Sequence, residues 1–100
     1  MTTVYLVLIA HDFVVVEIDG RLYEVRVLDV LGPYGTAAMV LKAPEEALKL
    51  TRASPAAYEH SWYFEVYKRP GFDSAIRKFA SMYPDLVHKI HPEVRRIVGV

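Results

Sequence analysis

The sequence predicts an α+β fold, in which a four-stranded antiparallel β-meander from the N-terminal half packs against three to four α-helices from the C-terminal half. Two apolar runs rich in Val and Ile, at 4–10 and 13–18, precede the hairpin dipeptide Asp19-Gly20. In the second half, apolar side chains recur at the spacing of one helical face: Phe72, Ile76, Phe79 and Tyr83. The length of 100 residues fits a single domain that spans 1–100.

We expect strands at four places before residue 43. Their residues are mostly β-branched or aromatic, and Gly, Pro, His or Asp residues lie between them. The predicted strands are 4–10, 13–18, 21–30 and 36–42. The fourth also contains Ala37-Ala38, a composition that strands disfavour.

The turn between the second and third predicted strands fixes their register. With Asp19-Gly20 as a two-residue loop, Val16 lies opposite Tyr23. With His11-Asp12 as another two-residue loop, Val7 lies opposite Val16. One face of the sheet then collects a set of apolar side chains: Tyr5, Val7, Ile9, Val14, Val16, Ile18, Tyr23, Val25 and Val27.

The opposite face is also largely apolar, with Leu6, Leu8, Ala10, Phe13, Val15, Leu22 and Leu28. Only Glu17, Glu24 and Arg26 interrupt it. The two carboxylates fit either general acid–base chemistry or, more simply, a charged patch that Arg26 offsets. Because an antiparallel sheet normally keeps one face in water, two apolar faces are informative. We expect helices on one face, and the end of the chain or a second copy of the protein on the other.

Helix signals begin after residue 42. Ala43-Pro44-Glu45-Glu46 predicts a helix that runs to about Arg52, because Pro fits the first position and carboxylates favour the positive end of the helix dipole. Ser54-Pro55 predicts a second start, with Ser54 as the N-cap. We expect a helix over 56–68, although alternating aromatic residues within 61–68 also fit a strand.

The last third of the chain is predicted to be helical as well. Lys68-Arg69-Pro70-Gly71 breaks the chain, and a helix capped by Asp73 follows. Another helix begins at Pro84-Asp85 and is interrupted by Pro92. The pattern of 93–100 fits a helix or a closing strand.

The composition excludes three classes of protein. A disordered chain is excluded because 53% of the residues are hydrophobic and the net charge is zero. A disulfide scaffold is excluded because the sequence has no Cys. A membrane-spanning helix needs roughly 18 apolar residues, far more than the longest run at 4–10 provides. We expect a cytoplasmic protein, because no basic segment with a cleavage site precedes the first strand.

The composition also predicts habitat and assembly. Asn, Gln and Cys are all absent, which is typical of proteins that avoid thermolabile side chains in hyperthermophiles. A domain of this size leaves some apolar side chains outside, and zero net charge gives no long-range repulsion between copies. We therefore expect a homo-oligomer. The main functional hypothesis is a non-catalytic interaction module that self-associates.

An alternative function is binding of single-stranded DNA or RNA. Residues 68–100 carry seven basic and three acidic side chains, and eight of the twelve aromatic residues lie between 58 and 83. Aromatic rings stack on bases while cations follow phosphates. The candidate contact residues are Tyr63, Tyr67, Lys68, Arg69, Arg77 and Lys78. In outline, a β-meander followed by helices with this clustering is similar to archaeal single-strand DNA-binding domains. No sequence motif matches residue by residue, so no site residue is transferred from them.

Catalytic and metal-binding motifs give little support for an enzyme. Asp85, His88 and His91 are spaced like metal ligands on a helix, but Pro92 follows directly and Asp85 suits an N-cap, so solvated helix residues are expected. Serines in Gly-flanked elbows, a P-loop and a dinucleotide-binding motif are all absent. The sequence therefore predicts no catalytic residue, no metal site and no cofactor.

Overall fold

The structure, a computed structural model that describes residues 2–100, confirms the α+β fold with a four-stranded antiparallel sheet and several helices. The sheet has the order β1-β2-β3-β4. Its strands are β1 (Val4–Ile9), β2 (Phe13–Ile18), β3 (Arg21–Arg26) and β4 (Ser54–Pro55). The helices are α1 (Gly32–Lys42), α2 (Pro44–Thr51), α3 (His60–Val66), α4 (Phe72–Met82), a 3₁₀ helix (Pro84–Lys89) and α5 (Pro92–Val98).

The hairpin between β2 and β3 has the predicted turn and register. Asp19 and Gly20 have φ angles of 49° and 85°, which a two-residue turn of type I′ requires and which Gly adopts without strain. Val16 pairs with Tyr23, as the turn predicts. The predicted turn and register are therefore confirmed, whereas β3 ends at Arg26 and not at residue 30 as predicted.

The register between β1 and β2 differs from the prediction because β1 contains a bulge. Leu6 lies opposite Val16 and Leu8 lies opposite Val15, so Val7 is the extra residue. The Tyr67 hydroxyl donates to the carbonyl of Val7, which satisfies a backbone acceptor at the irregularity. The predicted pairing of Val7 with Val16 is wrong for this reason.

The bulge also moves two β1 residues to different faces, because paired residues share a face. Tyr5 pairs with Glu17, and Leu6 with Val16, which reverses both face assignments. We refer to one side as the apolar face: Val4, Leu6, Ile9, Val14, Val16 and Val25. We refer to the other side as the carboxylate face: Tyr5, Leu8, Val15, Glu17, Leu22 and Glu24.

Both faces are covered by the chain itself. Helix α3 lies on the carboxylate face, since His60 contacts Glu17 and Tyr63 contacts Glu24. The members of the apolar face are at most 4% exposed, and α1 packs against β1 and β2. A second copy is therefore not needed to cover this sheet, and the homo-oligomer stays a prediction.

The predicted fourth strand at 36–42 is wrong, because this segment belongs to α1. Pro lies in the first turn of α1, and Ala37-Ala38 favours a helix over a strand. Thr36 is buried, and its Oγ1 accepts a hydrogen bond of 3.0 Å from the backbone N–H of Leu28. The Gly-Pro segment before it therefore starts a helix instead of joining two strands.

The fourth strand is instead Ser54–Pro55, where the sequence predicts a helix start. Ser54 pairs with Glu24 at the free edge of β3, a place where Pro is tolerated. The predicted helix over 56–68 is confirmed only for His60–Val66. The N-cap of α4 is Gly71, not Asp73, which lies in the first turn.

The remaining helix predictions agree with the structure, except that the helix predicted from Pro84 is a 3₁₀ helix, Pro84–Lys89. α2 covers the segment predicted to end near Arg52, and the open choice for 93–100 is resolved as helix over Pro92–Val98. No helix within residues 2–100 combines the length and the apolar character needed to span a membrane.

Candidate metal centre

Three side chains with metal-ligating atoms meet on the carboxylate face. Nε2 of His60 lies 2.6 Å from Oε2 of Glu17, and Nε2 of His91 lies 3.1 Å from the same oxygen. One ligand-type atom from each of the three residues falls within 4.8 Å of the other two. We refer to Glu17, His60 and His91 as the Glu-His-His cluster.

Each member of the cluster is held by a different element. Glu17 lies on β2, one residue before its end, and His60 is the first residue of α3. His91 is the N-cap of α5 and directly precedes Pro92. Sites whose side chains come from strands and helix ends are held more precisely than sites on loops.

His91 is also tied to the edge of the sheet. Its backbone N–H donates to the carbonyl of Leu6 at 2.8 Å, and Ile90 forms a parallel bridge with Leu6. The segment before α5 therefore runs along β1 and sets its ring beside the strand that pairs with β2. This contact joins two parts of the chain that are more than eighty residues apart.

Aromatic rings line one side of the cluster. The ring centroids of Tyr5 and Phe64 lie 5.8 and 5.1 Å from that of His91. The side chains of Glu17 and His91 are 16% and 14% exposed, while that of His60 is 38% exposed. Water therefore reaches the cluster mainly from the His60 side, and the other two members lie where reduced solvation strengthens electrostatic interactions.

The second carboxylate of this face has its own partner. The Tyr63 hydroxyl donates to Oε1 of Glu24 at 3.1 Å. Burial, aided by the hydrogen bond and charge of Glu24, raises the pKa of Tyr63 to about 12. Within residues 2–100, Arg26 forms no ion pair with Glu17 or Glu24, so the predicted charge offset is not present.

The structure separates the two rings proposed for nucleic acid from the cations. Tyr63 and Tyr67 are 1% and 6% exposed, so their faces are packed inside the protein. Lys68 and Arg69 are exposed just after α3. The rings and cations that adjoin in sequence therefore do not form one open surface.

The other two candidate cations lie on α4 and have partners, as Lys68 has in Glu65. Arg77 pairs with Asp73 and donates to the carbonyl of Val98 at 3.0 Å. The Lys78 ammonium lies 5.0 Å from the centroid of the Tyr34 ring, in a cation–π arrangement. The nucleic-acid hypothesis stays an untested prediction, and in this structure its exposed parts are the cations alone.

Sequence reasoning missed the cluster because its members are far apart in the chain. Glu17 is separated from His60 by 43 positions and from His91 by 74. Of the trio with ligand-like spacing in the sequence, only His91 joins the cluster, while Asp85 and His88 are exposed. The one usable signal was a carboxylate on a strand face that is otherwise nearly apolar.

The donor set has a definite chemistry. Two imidazole nitrogens and one carboxylate oxygen are ligands that Zn²⁺ and related transition metals accept. Donors of a tetrahedral zinc site lie about 3.3 Å apart, since each is about 2.0–2.1 Å from the ion. The 2.6 and 3.1 Å separations are those of hydrogen bonds and are shorter than that spacing, so an ion would require the donor atoms to move apart. Comparisons with protein-family models, curated proteins and solved structures find no match for this chain.

Proposed function

We propose that this protein binds a divalent transition-metal ion, with Zn²⁺ as the reference ion, through Glu17, His60 and His91. The observation that carries the proposal is the convergence of one carboxylate and two imidazoles from β2, α3 and the start of α5 within 4.8 Å. Both imidazoles point Nε2 at the same carboxylate oxygen, an arrangement in which one ion could be shared by all three residues.

The identity of the donors favours a transition metal over Ca²⁺ or Mg²⁺. Calcium and magnesium select oxygen ligands, whereas imidazole suits zinc, copper, iron and nickel. Within residues 2–100 no fourth histidine or carboxylate joins the cluster. A tetrahedral ion held by these three residues would keep one position for water, and the partly exposed His60 lies on the side open to solvent.

The proposal is tested by titrating the metal-stripped protein with Zn²⁺ in a calorimeter, with Co²⁺ absorption as a spectroscopic readout of ligand geometry. We expect one equivalent to bind. Glu17→Gln, His60→Ala and His91→Ala should each weaken binding by more than the 10- to 100-fold that loss of an outer-shell partner typically costs.

Two variants serve as matched controls. Glu24→Gln removes the other carboxylate of the same sheet face, and His88→Ala removes an exposed histidine close to the cluster in sequence. Both should bind Zn²⁺ as the wild type does. Equal Zn²⁺ affinity in the wild type and in Glu17→Gln, or no saturable binding at all, would contradict the proposal.

We also propose, as a second candidate function, that the protein self-associates. The supporting observation is an aromatic pair at the surface: the Tyr58 and Trp62 rings stack with centroids 4.0 Å apart and remain 51% and 39% exposed. Tyr and Trp are enriched at protein interfaces, and zero net charge gives no long-range barrier to association. Sedimentation equilibrium should give a mass above that of one chain, and the Trp62→Ser variant should shift it downward. A monomer at high concentration would exclude this candidate.

A further inference from the structure

We infer that metal binding at the Glu-His-His cluster breaks the cap of helix α5. The reason is that one His91 ring cannot both ligate the metal and accept the hydrogen bond that caps the helix. This inference rests on the proposed function and adds its structural consequence for the C-terminal helix. The inference rests on the two nitrogens of the His91 ring. Nε2 faces the Glu17 carboxylate, which accepts a hydrogen bond, and Nδ1 faces the backbone N–H of Glu93, which donates one.

The hydrogen bonds of His91 fix which nitrogen carries the proton in the metal-free protein. The backbone N–H of Glu93 donates to Nδ1 at 3.1 Å, so Nδ1 holds a lone pair. A neutral ring then carries its proton on Nε2, which lies 3.1 Å from Oε2 of Glu17. Both contacts are satisfied at once, since Nε2–H donates to the carboxylate while Nδ1 accepts from the helix.

A metal reverses this polarity. An ion bound to Nε2 uses the lone pair there, so a neutral ring must carry its proton on Nδ1. That proton faces the N–H of Glu93, which places one donor against another. Metal-bound histidines normally donate their second N–H to a carboxylate, carbonyl or water, and Glu93 presents none of these at its backbone nitrogen.

The other histidine carries no such conflict. His60 contacts Glu17 through Nε2, and within residues 2–100 its Nδ1 has no hydrogen-bond partner. The side chain of His60 is 38% exposed, so water can accept a hydrogen bond from a proton on its Nδ1. Metal binding therefore acts on the backbone through His91 alone.

The affected helix is sensitive to this loss. α5 has seven residues, too few to be stable without packing and caps. Its first turn is held by the Nδ1 contact and by the N–H of Arg95, which donates to the carbonyl of His91 at 2.9 Å. Because Val94 and Val98 are buried, the helix stays attached to the core while its first turn loosens. The order of the first turn of α5 therefore depends on whether the metal is bound.

The test follows the Glu93 amide and the His91 ring by NMR in the whole protein, without metal and with one equivalent of Zn²⁺. The ring should change from the Nε2–H to the Nδ1–H tautomer. Exchange of the Glu93 amide should accelerate about 2- to 30-fold, the range that corresponds to losing an N-cap contact. The amide of Phe79, inside α4, should be unchanged.

The control is His91→Asn, because Asn caps helices well but removes the imidazole ligand. This variant should keep Glu93 protected, and Zn²⁺ should not alter that protection. Zn²⁺ binding that changes the His91 tautomer but leaves exchange of the Glu93 amide unaltered would overturn this inference and leave the metal proposal standing, whereas an unchanged tautomer would show that Nε2 of His91 is not a ligand and would overturn both. Absence of saturable Zn²⁺ binding would overturn both.

Discussion

The two faces of the sheet are buried in different ways. The apolar face packs through contacts that need only volume and hydrophobicity, with Leu6, Val14 and Val16 fully buried. The carboxylate face is held by directed bonds, from His60 and His91 to Glu17 and from Tyr63 to Glu24. Apolar contacts tolerate exchange of one hydrocarbon for another, whereas each directed bond needs one particular partner. The faces should therefore respond differently to substitution, pH and ligands.

The largest effect is expected on the apolar face. Leu6→Ala removes a side chain that is 0% exposed and leaves a cavity, while the backbone contact of Leu6 with His91 is kept. We expect a loss of about 2–5 kcal/mol in the free energy of unfolding, measured by chemical denaturation. Leu50→Ala is the control, because Leu50 is 68% exposed and should change stability little. A loss of similar size in both variants would contradict a packed apolar face.

The second effect is pH-dependent and belongs to the tyrosines that cover the carboxylate face and the β1 bulge. Burial raises the pKa of Tyr67 well above its ordinary value, and burial with the Glu24 contact raises the pKa of Tyr63 to about 12. A raised pKa means that the folded state keeps the proton longer. The stability that each protonated tyrosine contributes is therefore complete below pH 10 and is lost as pH rises through the folded-state pKa.

This pH dependence has a definite slope. Each buried tyrosine should lower stability by about 1.4 kcal/mol per pH unit above pH 10, until its folded-state pKa is reached. Denaturation between pH 8 and 11.5 should give a flatter slope for Tyr63→Phe than for the wild type. Leu50→Ala, at an exposed side chain without an ionisable group, is the control and should keep the wild-type slope. Identical slopes in all three proteins would show that Tyr63 is not protected from ionisation.

The apolar face could largely be predicted from the sequence, because it follows from local rules. The Asp19-Gly20 turn sets the β2–β3 register, and a period of two then assigns the side chains. The bulge at Val7 could not be predicted, because the partner of its carbonyl, Tyr67, lies sixty positions away. That single extra residue moved Tyr5 onto the carboxylate face, beside His91.

The candidate site was hidden from the sequence for a related reason. His60 gains its role only when α3 crosses the sheet, and α3 begins there because Ser54–Pro55 pairs with β3 instead of capping a helix. His91 gains its role from the contact with Leu6 at the sheet edge. Both events depend on tertiary pairing, for which periodicity and caps carry no information.

A smaller effect is expected for Glu17→Gln in the metal-free protein. The amide keeps an acceptor oxygen for one imidazole but loses the charge that strengthens both hydrogen bonds. We expect a loss of about 1–2 kcal/mol in the free energy of unfolding, less than for Leu6→Ala. Glu45→Gln, at an exposed carboxylate in the first turn of α2, should be near neutral. A stability gain in Glu17→Gln would mean that the cluster destabilises the metal-free protein. The carboxylate face would then cost stability, whereas the apolar face provides it.

The smallest effect concerns single-stranded nucleic acid. Tyr63 and Tyr67 belong to the packed interior. Stacking on bases would require these rings to leave it, which would break their hydrogen bonds to Glu24 and Val7. Only cations such as Lys68 remain for phosphate contacts, and these weaken as salt rises. Titration with an oligonucleotide should therefore leave Trp62 fluorescence nearly unchanged at physiological salt. A saturable, salt-sensitive quench that Lys68→Ala reduces would instead favour the nucleic-acid function, and would require that the cover of the carboxylate face opens on binding.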